Sequence, residues 1–233
     1  MKTDRTTEEL ALLEHALEFL IPKFRESHEI IVSMLDFPRS QELRFADLGS
    51  GFGELSKRLL LHFPAALVFG IDDKRAIMEK TRASLKEFDG RFIGFERNLQ
   101  NISWTEGLAP LDAVASSFTL DYLPEQEHQR IISDAYHVLN PLGRWVSCEF
   151  YQATDARVNR IFHDLEIQYV QNSMQKGELT REQVDRLSRS TLLRQKHHVC
   201  RLDEKMDWLR QAGFKNVDVP WRFLNLAVVS GVK

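Results

Sequence analysis

The stretch Asp47-Leu48-Gly49-Ser50-Gly51-Phe52-Gly53 follows a short apolar run and leads directly into a sequence with helical periodicity. It predicts a tight turn between a strand and a helix. Glycines in such a turn let the backbone approach a ligand with no Cβ in the way. Glycine turns also join many strands to helices that bind nothing, and the third glycine comes one residue too early for the GxGxxG pattern of dinucleotide sites.

A second signal follows the turn at the end of the next predicted strand, where the chain reads Gly70-Ile71-Asp72. A carboxylate at a strand tip can accept hydrogen bonds from both hydroxyls of a ribose. We therefore take Asp72 as a binding candidate, together with the adjacent Asp73. The alternative is that these residues only cap the helix predicted to begin near Lys74, because aspartate is a favoured N-cap.

The DxGxGxG spacing and the later Gly70-Ile71-Asp72 together resemble motif I and the acidic residue of class I S-adenosylmethionine-dependent methyltransferases. The resemblance covers about residues 43–150 and 202–230. It implies a Rossmann-like α/β fold with a seven-stranded, mostly parallel sheet, and S-adenosyl-L-methionine as the cofactor. The cofactor-binding residues that it implies are Asp47, Gly49, Ser50, Gly51, Asp72, Asp73, Asn98, Leu99, Ser117 and Phe118.

Two of these positions have particular implied roles. Family members commonly carry an acidic residue after the third strand, which contacts the adenine amino group. Here Asn98 takes that position, and its amide oxygen can also accept from an exocyclic amine. Ser117 and Phe118 end the fourth apolar run, which in the family passes beneath the methionine end of the cofactor.

Short apolar runs separated by helical stretches indicate crossovers onto a doubly wound sheet. Two helices are predicted before the first strand, and a helical insertion is predicted after Phe150. We expect one domain over residues 1–233, in which the helices of 7–36 and the insertion of about 155–200 form a cap over the cofactor site. The predicted strands are LRFADL, LVFGID, RFIGFE, LDAVASSF, GRWVSCEF, NVDVPW and FLNLAVVSG.

Composition restricts the classes of partner and compartment. Of the 233 residues 43% are hydrophobic, which suits a single α/β domain. No run approaches the ~18 to 20 apolar residues of a membrane span, and the charged N-terminus argues against a secretory signal, so a cytoplasmic protein is expected. The net charge of −3 argues against nucleic acid as a partner, although the run from Arg186 to Arg201 is locally basic. A homodimer is left open.

A closer resemblance is to carboxy-S-adenosylmethionine synthases and related small-molecule methyltransferases. It rests on FTLDYLPEQEHQRIISDAYHVLNP from Phe118, on the insertion, and on LRQAGFKNVDVPWRFLNLAVV from Leu209. In the synthases an arginine of the insertion pairs with the extra carboxylate, and Arg189 or Arg194 is the nearest counterpart. Because the glycine turn keeps the methyltransferase pattern, we expect methyl transfer to a small organic acceptor. The alternatives are the synthase reaction, linked to tRNA wobble-uridine modification, and a non-catalytic S-adenosylmethionine-binding protein.

Methyl transfer needs mainly the alignment of donor and acceptor, so no catalytic base is required. Candidates for a base, should the acceptor need one, are His28, Tyr151, His163 and Tyr169. The basic run could be a solvated helix face or a clamp for an anionic acceptor. No metal is expected, because His197, His198 and Cys200 do not have a recognised ligand spacing.

Overall fold

The computed structural model describes residues 2–108, 110–189 and 198–233. Strands and helices alternate through the middle of the chain, as predicted. The strands are β1 (Arg44–Leu48), β2 (Leu67–Asp72), β3 (Phe92–Glu96), β4 (Leu111–Ser117), β5 (Leu139–Phe150), β6 (Lys215–Phe223) and β7 (Leu226–Val232). The helices are α1 (Lys2–Leu20), α2 (Phe24–Leu35), α3 (Glu54–His62), α4 (Arg75–Ser84), α5 (Glu125–Val138), α6 (Ala156–Gln175), α7 (Arg181–Arg189) and α8 (Leu202–Ala212).

The seven strands form one sheet in the order β3-β2-β1-β4-β5-β7-β6. All neighbouring strands are parallel except β7, which is antiparallel to both β5 and β6. The predicted Rossmann-like α/β fold with a mostly parallel seven-stranded sheet is therefore confirmed. The strand order reverses between β1 and β4, and open α/β sheets bind ligands at the carboxyl ends of the strands beside such a reversal.

Alternating side chains of the strands build an apolar layer on each face of the sheet. On β1, Phe45 packs in one buried cluster with residues of α2 and α3, including Leu59. The neighbouring Ala46 packs in the other cluster with residues of α5 and α8, including Ile131 and Leu209. Because both faces are covered, β1 is buried along most of its length, and its carboxyl end is where polar chemistry can be placed.

The chain divides into two compact units. The sheet unit comprises residues 27–152 and 198–233, and the helical unit comprises the chain up to Glu26 with the described residues from Ala153 to Arg189. Within the helical unit, the Tyr169 hydroxyl on α6 donates to the Glu18 carbonyl of α1 at 3.1 Å. The cap over the cofactor site remains a prediction. Although α1 and α6 are 19 and 20 residues long, none of the described helices is apolar enough to cross a membrane.

Candidate functional site

The glycine turn lies at the carboxyl end of β1, beside the reversal of strand order. Gly49, Gly51 and Gly53 all have positive φ, at 67°, 51° and 85°. A residue with a Cβ loses roughly 1–2 kcal/mol in such a conformation. The Ser50 amide donates to the Ile71 carbonyl at 2.9 Å, which fastens the turn to β2. The three glycines are therefore required by the backbone conformation itself.

Two of the glycines differ in what surrounds them. A Cβ on Gly49 would lie 2.1 Å from Cγ2 of Thr119, whereas among the described residues a Cβ on Gly51 would meet only the Gly49 carbonyl oxygen, at 3.8 Å. Gly51 thus borders open space. The buried Oγ of Ser50 has no hydrogen-bond partner within the described residues. An open backbone beside an unpartnered hydroxyl fits a polar ligand that approaches the turn closely.

The Asp72 carboxylate is tied to this turn. Its Oδ2 accepts from the Gly51 amide at 3.1 Å, and its Oδ1 accepts from the Lys74 amide at 2.9 Å. Lys74, not Asp72, is the N-cap of α4, and that helix has no side-chain cap. Burial raises the pKa of Asp72. Each oxygen retains acceptor capacity for a further hydrogen bond. The adjacent Asp73 is exposed, with its Oδ1 3.5 Å from the Lys74 ammonium.

Asp47 lies in the motif, but its side chain points to a protein partner. The carboxylate is buried and accepts from the Ser56 hydroxyl of α3 at 2.6 Å. Burial raises the pKa of Asp47 to about 7, and the nearby charge of Asp72 acts in the same direction. The contact of Asp47 with Ser56 joins β1 to the helix that follows the glycine turn.

The residues after β3 are also engaged by the protein. The Asn98 Oδ1 accepts from the Gln100 amide at 2.8 Å. Leu99 is buried, and its carbonyl accepts from Arg130 at 2.6 Å. An amide oxygen has two lone pairs, so Asn98 retains one acceptor position. Its contact with an adenine amino group remains a prediction.

At the end of β4, the structure brings together two candidates that are far apart in the sequence. The Nε2 of His28 lies 3.0 Å from the Ser117 Oγ, and the His28 and Phe118 rings pack edge to face at 6.2 Å between centroids. Phe118 has φ 53°. Burial lowers the pKa of His28 to about 3, and the positive charge of Arg58 contributes. The imidazole is therefore neutral at physiological pH and is a weak base.

Tyr151 follows β5 and is buried. Its hydroxyl has no hydrogen-bond partner in the part of the chain that the structure describes. Burial raises the pKa of Tyr151 well above its usual value, and the charge of Glu149 adds to this. The phenol therefore stays protonated, so it can donate a hydrogen bond but does not serve as a base.

The remaining candidates belong to the helical unit. His163 is exposed on α6, 4.0 Å from Glu166, and the Tyr169 hydroxyl is used in the contact between helices described above. Arg189 is exposed at the end of α7, and Arg194 lies outside the described residues. No group of three metal-ligating side chains occurs within the described ranges. His197 lies outside these ranges.

The sheet unit also holds a buried charge cluster that the sequence analysis did not predict, formed by Asp121, His128, Glu149 and Lys205. All four residues are buried. The Lys205 ammonium lies 2.5 Å from the His128 Nε2 and 4.9 Å from the centre of the Trp145 ring. Burial raises the pKa of Glu149 to about 8 and lowers that of Lys205 to about 8, and each shift is opposed by the charge of the other residue.

A signal for this cluster was present in the sequence. Glu149 is a charged residue at the end of the apolar run GRWVSCEF. Lys205 has helical spacing to Leu202 and Leu209, so it lies on the apolar face of α8. A charge at a position that the periodicity predicts to be buried marks a polar contact within the core.

Comparison with known proteins agrees with this geometry. Residues 45–143 match the methyltransferase domain family. The matched segment contains the glycine turn, Asp72 and the end of β4.

Two curated relatives match nearly the whole chain at low identity. A carboxy-S-adenosyl-L-methionine synthase of Staphylococcus epidermidis is 25% identical over 240 residues, which span 100% of this chain and 96% of the relative. The synthase of Nautilia profundicola is 22% identical over 97% of this chain and 93% of its own length.

Solved structures share the fold. An S-adenosylmethionine-dependent methyltransferase, SibL, superposes with a TM-score of 0.63 at 21% identity, over 90% of this chain and 55% of its own. Human N-acetylserotonin methyltransferase in complex with S-adenosylmethionine gives a TM-score of 0.61 at 13% identity, over 88% of this chain and 51% of its own. This chain thus spans about half the length of these enzymes. The match over residues 45–143 and these superpositions show that the chain has the α/β fold of S-adenosylmethionine-dependent methyltransferases.

Proposed function

We propose that the protein transfers a methyl group from S-adenosylmethionine to a small organic acceptor, at the carboxyl ends of β1, β2 and β4. The observation that carries this proposal is the contact between the glycine turn and Asp72, with open space beside Gly51. In the proposed site the ribose hydroxyls lie at Asp72 and the backbone of Gly49 and Gly51 faces the methionine end. The Ser50 hydroxyl is a further donor or acceptor for the cofactor.

The cofactor, when bound, supplies a methyl group on a sulfonium that is already activated for displacement. The task of the chain is then to hold the acceptor in line with that methyl group and to exclude water. His28 and Tyr151 suit this task as hydrogen-bonding groups, because one stays neutral and the other stays protonated. Because neither residue serves as a strong base, the proposed acceptor is one that attacks the methyl group without losing a proton first.

The proposal assigns acceptor selection to the helical unit, whose helices are predicted to cap the site. The sheet unit supplies the residues of the proposed cofactor site, so the helical unit is the natural source of acceptor specificity. Its exposed Arg189 favours an acceptor with a carboxylate or phosphate. We also propose that the protein acts in the cytoplasm. We further propose that it assembles as a homodimer, which light scattering of the purified protein tests.

The second candidate function is formation of carboxy-S-adenosylmethionine. The observation that favours it is the match to synthases over nearly their whole length. This function needs a cation facing the carboxylate that is added at the methyl position, and Arg189 or Arg194 is the proposed partner. The glycine turn, which keeps the methyltransferase pattern, favours methyl transfer over this reaction.

Mass spectrometry of the small molecules released on denaturing the purified protein separates these functions. We expect S-adenosylmethionine or S-adenosylhomocysteine from the wild-type protein and much less of either from Asp72→Ala, purified in parallel. A carboxylated adenosyl compound would overturn methyl transfer in favour of the synthase reaction. Absence of any adenosyl compound, with no binding when S-adenosylhomocysteine is added, would contradict both functions.

A labelling experiment then separates catalysis from binding. The protein is incubated with S-adenosylmethionine labelled at the methyl group and with a small-molecule extract of cells. A labelled product that depends on the protein supports methyl transfer, and its mass difference from an extract component identifies the acceptor. Binding without any labelled product would support the non-catalytic alternative.

A further inference from the structure

Glu149 is a buried carboxylate whose two oxygens contact one residue at the end of β4 and one residue just after it. Its Oε1 lies 3.1 Å from the Ser116 hydroxyl, and its Oε2 accepts from the Thr119 amide at 2.9 Å. The side chain belongs to a residue that is only 1% exposed. A buried carboxylate is costly unless such partners satisfy it, so its position is closely determined.

The same two partners reach the glycine turn. The Ser116 hydroxyl also lies 3.2 Å from the Leu48 carbonyl, immediately before Gly49. The Thr119 hydroxyl lies 3.2 Å from the Gly49 carbonyl and 3.0 Å from that of Ser117. Both partners of Glu149 thus also lie against the start of the turn, although the single proton of the Ser116 hydroxyl is donated to one of its two acceptors at a time.

Packing reinforces the route through Thr119. Three atoms of its side chain lie 2.1–2.6 Å from the position that a Cβ would take on Gly49. The Thr119 side chain therefore packs directly on Gly49 and leaves no room for a side chain at position 49. A shift of the segment after β4 would move the contact that fixes this glycine.

Two other members of the charge cluster, Lys205 and Asp121, act on the charge of Glu149. Lys205 stabilises the ionised form of Glu149, and Asp121 opposes it. Replacing buried ionic groups by apolar residues is often neutral or favourable for stability, so a stabilising role alone does not explain why the core holds these charges. A role in setting the position of the turn does explain it.

We propose that Glu149 is a positioning residue for the cofactor, acting through Ser116 and Thr119 on the glycine turn. This inference rests on the proposed cofactor site. It assigns to Glu149 no contact with the cofactor itself. Its effect is to hold the Gly49 backbone where the methionine end binds, so its loss lowers cofactor affinity beyond any loss of stability.

The first test uses Thr119, because its variants change little volume. Calorimetry measures the affinity for S-adenosylhomocysteine. We expect Thr119→Val to bind roughly 5-fold more weakly, as expected for one buried hydrogen bond. Thr119→Ser keeps the hydroxyl and should bind within about 2-fold of wild type. Equal binding by the Val variant and wild type would overturn the inference.

The second test uses Glu149 itself. Glu149→Ala should weaken binding at least ~10-fold, whereas Glu149→Gln, which can still accept from the Thr119 amide, should stay within about 3-fold. Val229→Ala, which removes volume from the buried core near β5, is the control for general loss of stability and should bind as wild type does. An affinity loss in this control equal to that of Glu149→Ala would contradict positioning.

A double-mutant cycle shows whether the two residues act along one route. If they do, Glu149→Ala with Thr119→Val should bind within about 2-fold of Glu149→Ala alone, whereas independent effects would multiply. Multiplied effects would overturn the proposed route. If Glu149→Ala does not fold, the Thr119 pair decides the question alone. Failure of the wild-type protein to bind would instead contradict the proposed cofactor site.

Discussion

The amide of Gly51 donates to the Asp72 Oδ2 across 3.1 Å. This bond joins the turn after β1 to the end of β2, so the two parts of the proposed cofactor site form one hydrogen-bonded unit. The same carboxylate also accepts from Lys74, which fixes its orientation. A ligand that binds to Asp72 therefore meets a carboxylate that is already held in place, and it loses little affinity to ordering the site.

Filling the space beside Gly51 should abolish cofactor binding. Gly51→Val places a branched side chain where the structure shows open space, and it also strains a backbone at φ 51°. Gly90→Val is the matched control, because Gly90 has φ 79° and no atom of the residues that the structure describes lies within 4 Å of its added Cβ. Both variants should lose roughly 1–3 kcal/mol of stability. Only Gly51→Val should lose binding of S-adenosylhomocysteine in calorimetry, and equal binding by the two would contradict the site.

Removing the Asp72 carboxylate should weaken binding of the cofactor strongly. Asp72→Ala loses both the acceptor for the ribose hydroxyls and the support of Gly51, and hydrogen bonds to a charged group contribute about 1.5–3 kcal/mol each. We therefore expect an affinity loss of at least ~10-fold in equilibrium dialysis. Asp73→Ala, at the exposed neighbouring position, should stay within about 3-fold of wild type. A larger loss of affinity in Asp73→Ala than in Asp72→Ala would show that Asp73 is the binding residue.

Asp47 should make the protein less stable as the pH rises. Because its pKa is raised to about 7 in the fold, the folded protein retains a proton that the unfolded chain has lost. The free energy of unfolding should therefore fall between pH 5.5 and 7, by roughly 1–2 kcal/mol from this group. In urea titrations Asp47→Asn should lack this part of the decrease, and Asp73→Asn should keep it. An identical decrease in all three proteins would show that the Asp47 pKa is not raised.

His28 should make the protein less stable as the pH falls, which is the opposite of the effect of Asp47. Its pKa is lowered to about 3 in the fold, so the unfolded chain binds a proton below pH 6.5 that the folded protein does not. Stability should be lost as the pH falls from 7 to 5.5, by about 1 kcal/mol from this residue. His28→Gln should remove that loss, and His163→Gln, at an exposed position, should not. If His28→Gln loses as much stability between pH 7 and 5.5 as the wild-type protein does, His28 is not held neutral in the fold.

Local sequence patterns predicted most of the fold. Apolar periodicity predicts helices over residues 54–62 and 202–212, the second of which Gly213 should end, and α3 (Glu54–His62) and α8 (Leu202–Ala212) have these bounds. The same periodicity predicts a helix over residues 74–88, but α4 ends at Ser84 and a 3₁₀ turn follows over Lys86–Phe88. Such ends depend on a few hydrogen bonds, which periodicity does not reveal.

The candidate site was predictable only where the chain itself carries the signal. The glycine turn and Asp72 have a spacing that can be read directly. The contact of His28 with Ser117 joins residues 89 positions apart, and no local pattern encodes it. Cofactor binding by Asp47 remains a prediction, and the contact of its side chain with Ser56 could not be predicted because it depends on how α3 packs on β1. Glu149 and Lys205 were missed because their roles come from partners on other elements.

The most direct test of the proposed site is a crystal structure of the protein grown with S-adenosylhomocysteine. We predict the ribose hydroxyls within hydrogen-bond distance of the Asp72 carboxylate, the homocysteine end against the backbone of Gly49 and Gly51, and the adenine near Asn98 and Leu99. Binding with the ribose away from Asp72, or at the carboxyl ends of other strands, would contradict the account.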